Sequence, residues 1–333
     1  MPTTWAEIFK QESFINFKKI INNQSKTKKI MKKIKNALLA IFAATALFSC
    51  VNDDSAPTPT DVTKDKGHDE WSKVEITFKE GHLHGASFHG DPDYPETIKF
   101  FRREQKISFT QDDKGNVVPS TDKPILFLAG NSYAVLINYY NKSGELMNSE
   151  FVKDGMDKIH QHFFYAKDIK PTHGNKEINE DELMTYTYRD SESSINEGRP
   201  ELKKRTWDSN NPNANDPIGL KGYFTVPKDH PYYTFDLKIL LAHFKVENKL
   251  NKNNKNEPYA YNDKPAPGIY DSDLYVSIPV DIYSSINFQE TEELKENVFF
   301  PDAAKAYGVS VEDIKKDYDL IFELDPEGGN FWL

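Results

Sequence analysis

The histidines carry the most chemical promise in this chain. There are nine, and six of them fall into short, similar arrangements. His82 and His84 stand in Gly81-His82-Leu83-His84-Gly85, and His89 follows in Phe88-His89-Gly90. A second His-x-His, His160 and His162, lies in Ile159-His160-Gln161-His162-Phe163, and His243 stands in Leu241-Ala242-His243-Phe244. On a strand, residues i and i+2 point to the same face, so each pair sets two imidazoles side by side. If the strands carrying them are neighbours, three or four nitrogens converge on one point. Neutral imidazole suits Zn, Cu, Ni and Fe and needs no reducing compartment. The expected leading ligands are therefore His82, His84, His160 and His162, with His89 and His243 in reserve, holding a transition-metal ion (Zn, Cu or Fe) or haem. Glycines 81, 85 and 90 would let the backbone bend these ligands inward. The competing expectation is that the rings only make hydrogen bonds at a sheet end. His68, His173 and His230 read as solvated.

Other chemistry is weaker. Asp91-Pro92-Asp93-Tyr94-Pro95-Glu96 follows His89 directly. Its carboxylates either join a His/carboxylate shell or make a proline-fixed acidic turn, and the turn is preferred. The sequence has no phosphate-binding Gly-rich loop, nucleotide fingerprint, His-Glu-x-x-His or Gly-x-Ser-x-Gly. Asp and Glu are plentiful, yet no spacing singles out a glycosidase pair.

The elements that must position these residues read as strands. Val74, Ile76 and Phe78 alternate with Glu75, Thr77 and Lys79, the period of a half-buried strand. Residues 106–110, 125–128, 133–140, 145–151, 183–189, 219–226, 234–246 and 274–282 repeat the pattern. Asn141-Lys142-Ser143-Gly144 reads as a hairpin turn. The expected fold is mainly β, an antiparallel β-sandwich-like domain over 71–286, or two sub-domains with a break near 191–217. Residues 191–217 and 249–267 are long polar loops of the kind that carry binding surfaces or stand idle. Beyond residue 287 the pattern turns helical. Ser310 opens a capping-box-like start, and Val311, Ile314, Tyr318 and Ile321 recur at helical spacing. A shorter helix is expected over 301–307, and the terminal Trp332 is expected to dock on the domain.

The lone cysteine supplies an address. Met31-Lys32-Lys33-Ile34-Lys35 is a positive n-region, and the apolar run from Ala37 to Phe48 has secretory-signal length. It is shorter than the ~20 residues a transmembrane helix needs. Met31 reads as the start of a complete signal over 31–49, with 1–30 as an extension before it. Cys50 follows Leu47-Phe48-Ser49 at the cleavage point, so its sulfur is the expected site of lipidation. No disulfide or thiolate site then remains. Residues 50–70, with Ala56-Pro57-Thr58-Pro59-Thr60, read as an extended tether.

Leu47–Cys50 resembles a bacterial lipobox. Asn52-Asp53-Asp54 is similar to the surface-export signal of Bacteroidota lipoproteins, and Asp54-Ser55-Ala56 to that phylum's short O-glycosylation motif. The resemblance covers the leader and tether. It implies a lipid anchor in the outer membrane, exposure at the cell surface, and a place beside a TonB-dependent transporter to which a scarce nutrient is delivered.

Composition narrows the partners. The first 49 residues hold nine Lys/Arg and two Asp/Glu, so the remainder carries 33 basic and 50 acidic residues, a formal charge of −17. A body this acidic repels nucleic acid and anionic headgroups, which leaves the lipid on Cys50 to hold the membrane. Metal or haem capture is the leading expectation. A glycan-binding surface protein using Tyr232, Tyr233, Tyr259, Tyr261 and Trp207 is the alternative, as is a hydrolase whose His-bound metal activates water.

Overall fold

The alternation at Val74, Ile76 and Phe78 becomes the inward face of β1 (Lys73–His84), where all three side chains are fully buried. The computed structural model describes residues 71–85, 87–112, 114–191, 205, 216–245, 249, 257–284, 291–324 and 333. The leader, Cys50, the tether, His68, Trp207 and Trp332 lie outside these.

β1 is the centre of a seven-stranded sheet. Antiparallel β2 (Ser87–Gly90) pairs with its last residues, and β3 (Glu104–Gln111) and β6 (Ser132–Tyr140) flank its length. β4 (Val117–Pro119) extends the sheet beyond β3, while β9 (Lys221–Thr225) and β8 (Thr185–Tyr188) extend it beyond β6. A second sheet has the order β5 (Ile125–Leu128), β11 (Tyr270–Tyr283), β10 (Tyr233–Phe244) and β7 (His160–Pro171). All its pairings are antiparallel except β5 with β11, which is parallel.

The two sheets share one apolar core, so the fold is mainly β and sandwich-like. Val74, Ile76 and Phe78 of the first sheet pack in the same cluster as Leu237, Ile239 and Leu241 of the second. Full burial of side chains of this size contributes roughly 1.5–3 kcal/mol each.

Residues 145–151, expected as a strand, form only the Tyr140–Leu146 bridge and then a 3₁₀ turn, Asn148–Phe151. The Asn148 side chain explains this. It accepts from Tyr139 N at 2.9 Å and donates to the Ile137 carbonyl at 2.9 Å, occupying the groups a partner strand would use. The turn at Asn141–Gly144 does form, with Gly144 at φ 79°. β7 is absent from the sequence-based strand set, as are β2 and β4.

The C-terminal helices follow the expected periodicity. Helix Phe300–Tyr307 ends at left-handed Gly308, and helix Val311–Glu323 is capped by Ser310, whose hydroxyl accepts from Asp313 N. They bury Phe300, Ile314 and Tyr318 in a second cluster against Leu126 and Leu128 of β5.

Candidate metal centres

The first centre is built by the hairpin of β1 and β2. His82 lies opposite His89 in the register, and His84 follows His82 on the same face. The His82 and His84 Nε2 atoms are 3.2 Å apart, and the rings of His82 and His89 are 5.1 Å apart. One ligand nitrogen from each of His82, His84 and His89 lies within 4.8 Å of the others. Two glycines make this possible. At Gly81 a Cβ would stand 2.2 Å from the His89 carbonyl oxygen, so only glycine lets β2 return this closely. Gly85 takes φ 63° in the turn.

Asp91 completes the arrangement. Its Oδ1 accepts from His82 Nδ1 at 2.8 Å, while its Oδ2 lies 3.6 Å from Arg103. That bond fixes the His82 tautomer and leaves Nε2 as the nitrogen for a ligand, the carboxylate–histidine support common behind metal-bound imidazoles. In the acidic segment after His89, Asp91 thus bonds His82, and Asp93 pairs with Lys79. His82 and His84 are exposed and His89 half-buried, so an ion here could exchange with solvent.

The other His-x-His does not join this group, because β7 belongs to the other sheet. Its two rings also part company. His162 has both nitrogens engaged: Nδ1 donates to the Ile218 carbonyl at 2.8 Å, and the Tyr139 hydroxyl donates to Nε2 at 2.7 Å. Burial drives its pKa down to about 3, so the ring stays neutral. Expected as a ligand, it serves as a buried hydrogen-bonding residue.

His160 instead meets His243. The two are register partners across β7 and β10, with rings 4.6 Å apart. Asp273 of β11 joins them: its Oδ2 is 3.3 Å from His160 Nε2 and 3.5 Å from His243 Nδ1. Both rings are buried, and the Asp273 side chain is only 9% exposed. Burial pushes the Asp273 carboxyl up, yet the two imidazoles outweigh it and hold the carboxyl down at about 2.

Asp273 was not among the sequence candidates. It shares strand parity with Tyr275, which is 59% exposed, and parity alone places it outside. The pairing shifts between Leu241 and Ala242, so Leu274 faces Leu241 while Ser272 faces Ala242. Asp273 is the extra residue of this β-bulge, and the bulge turns it inward. Trp71 Nε1 donates to its carbonyl at 3.0 Å and holds it there. An aspartate beside a β-branched, alternating run was the only sequence signal.

Of the remaining histidines, His173 pairs with Asp302 and His230 packs edge-on to Tyr233. Compared with family models, curated proteins and solved structures, the chain matches none.

Proposed function

We propose that this is a lipid-anchored surface protein that captures a divalent transition-metal ion on the β1–β2 hairpin and supplies it to an outer-membrane transporter. One observation carries the reading: three imidazoles, with one ring oriented by Asp91, share a solvent-accessible hairpin. The 3.2 Å between His82 and His84 Nε2 is close to the ~3.4 Å edge of a tetrahedron with ~2.0–2.1 Å bonds. Three ligands leave a position open to water or to an acceptor. Lipobox-like Leu47–Cys50 supports the anchor, and Asn52-Asp53-Asp54 supports the surface address.

The surroundings favour a bare ion over haem. Lys79, Asp91, Asp93 and Arg103 crowd this end of the sheet with charge, whereas a large flat ligand needs a mostly apolar slot. The saccharide reading has less support. Tyr259 is buried, Tyr261 packs against the core, and Tyr232 lines an open cavity together with Tyr233, which is itself largely buried.

Elemental analysis of the untagged full chain, purified in detergent without chelator, tests this. One rapidly exchangeable equivalent of Zn, Cu or Fe is expected, lost in His82→Ala/His84→Ala/His89→Ala. Because imidazole must be neutral to ligate, the ion should also leave as the solution is taken to about pH 5. Metal content unchanged by the triple substitution would overturn the reading.

A further inference from the structure

The buried group at His160, His243 and Asp273 plays no part in capture at the hairpin, and its hydrogen bonding sets a sharp constraint. His160 Nδ1 donates to the Met156 carbonyl at 2.8 Å. A carbonyl oxygen can only accept, so the proton of the neutral ring is on Nδ1 and the lone pair is on Nε2. That lone pair faces a carboxylate oxygen of Asp273 at 3.3 Å. Two acceptors facing each other in a dry interior repel unless a positive charge lies between them. The occupant is therefore a proton, which makes His160 an imidazolium, or a metal cation.

We propose that a divalent first-row transition-metal ion occupies this position, held by His160 Nε2, His243 and Asp273 as a resident centre distinct from the hairpin. Three features favour the metal over the proton. The ligand atoms of all three residues lie within 4.8 Å of one another, so the positions converge on a point and not merely in pairs. The oxygen-to-nitrogen separations of 3.3 and 3.5 Å bracket the ~3.4 Å expected between ligands with ~2.0–2.2 Å bonds. The Met156 carbonyl behind His160 is the usual support for a metal-bound imidazole. Two imidazoles and one carboxylate form a donor set for Zn, Fe, Co or Mn.

The location gives this centre a different role from the hairpin. The three ligands come from three adjacent strands, β7, β10 and β11, so the ion would pin the bulge of β11 to its neighbours. Phe151 packs edge-on over His160 with ring centroids 5.4 Å apart, and Tyr139 lies tilted against Phe151 at 4.6 Å. With both imidazoles shut from water, the ion can leave only when this end of the sandwich opens. The hairpin ion exchanges quickly and the buried one slowly. This inference stands on its own geometry and does not depend on the hairpin reading.

The test uses the full chain carrying His82→Ala/His84→Ala/His89→Ala, loaded in turn with Zn²⁺, Co²⁺ and Fe²⁺. One equivalent of at least one ion should survive brief chelator treatment that strips the hairpin ion from the wild type. The Co²⁺ form should show visible d–d absorption. Adding Asp273→Asn should weaken retention more than about tenfold. No retained ion with any of the three metals overturns the proposal and assigns the position to a proton. So does retention that Asp273→Asn leaves unchanged in a folded protein. If Asp273→Asn fails to fold, X-ray absorption on the hairpin variant decides: two imidazoles and an oxygen donor are expected, and a shell without imidazole refutes the site. Loss of the hairpin ion alone, or of the buried ion alone, tells the two readings apart.

Discussion

Asp281 shows how a single carboxylate couples this fold to pH. It lines a cavity of about 510 Å³ between the second sheet and the helical tail, near Asp302 and Lys305. Removal from water pushes its pKa up to about 6, and the Asp302 carboxylate adds to the rise against the lowering by a Tyr283 hydrogen bond and Lys305. Between about pH 4 and 6 the folded protein holds a proton that the unfolded chain has released, so Asp281's contribution to stability declines as pH rises through that window. Asp281→Asn should therefore stabilise the protein at pH 7 by about 1 kcal/mol, after allowance for partial exposure. The gain should vanish near pH 3.5. Urea midpoints at the two pH values check this, and an equal gain at both would refute it. Lys249 is a second case at this scale. It falls in an Asn- and Lys-rich stretch that reads as a solvated loop, yet it is fully buried and donates to the Asp157 and Pro217 carbonyls at 2.6 Å. Burial lowers its pKa to about 7. Composition marks a lysine as polar, but only its neighbours decide whether carbonyls replace its water.

Among the elements, the end of β1 was legible in part: His82 and His84 at i and i+2 share a face, whereas β2, which returns His89 opposite His82, carries too short a pattern to read as a strand. Gly81→Ala tests how tightly the hairpin is drawn. A methyl group 2.2 Å from the His89 carbonyl and 2.5 Å from the Phe88 ring cannot be accommodated without moving β2. The substitution should cost about 1–3 kcal/mol and weaken metal binding at the hairpin, with the buried centre unaffected. Denaturation and metal titration of the same variant would show this, and unchanged values of both would mean that the hairpin is looser than described. The element at 145–151 misled for the opposite reason. Its alternation suits a strand, but the amide of Asn148 reaches β6 first.

For the molecule as a whole, a carboxylate adds to the apolar contact that ties the tail to the sandwich. Asp317, buried in the helix Val311–Glu323, accepts from the backbone N–H groups of Lys99, Phe100 and Phe101 at 2.7, 2.8 and 3.2 Å. Asp317→Ala leaves these donors without their acceptor and should cost about 2–3 kcal/mol. Amide exchange at residues 99–101 should quicken while hairpin metal binding stays intact; protected amides there would refute the tie. The alternating strands, the capped C-terminal helix and the shared face of His82 and His84 could all be inferred from the sequence, because periodicity and short spacing act through neighbours a few residues away. The parallel pairing of β5 with β11, the meeting of His160 with His243, and the inward turn of Asp273 could not. Each depends on which strands lie side by side and on a one-residue shift in their register, and strand parity is silent about both.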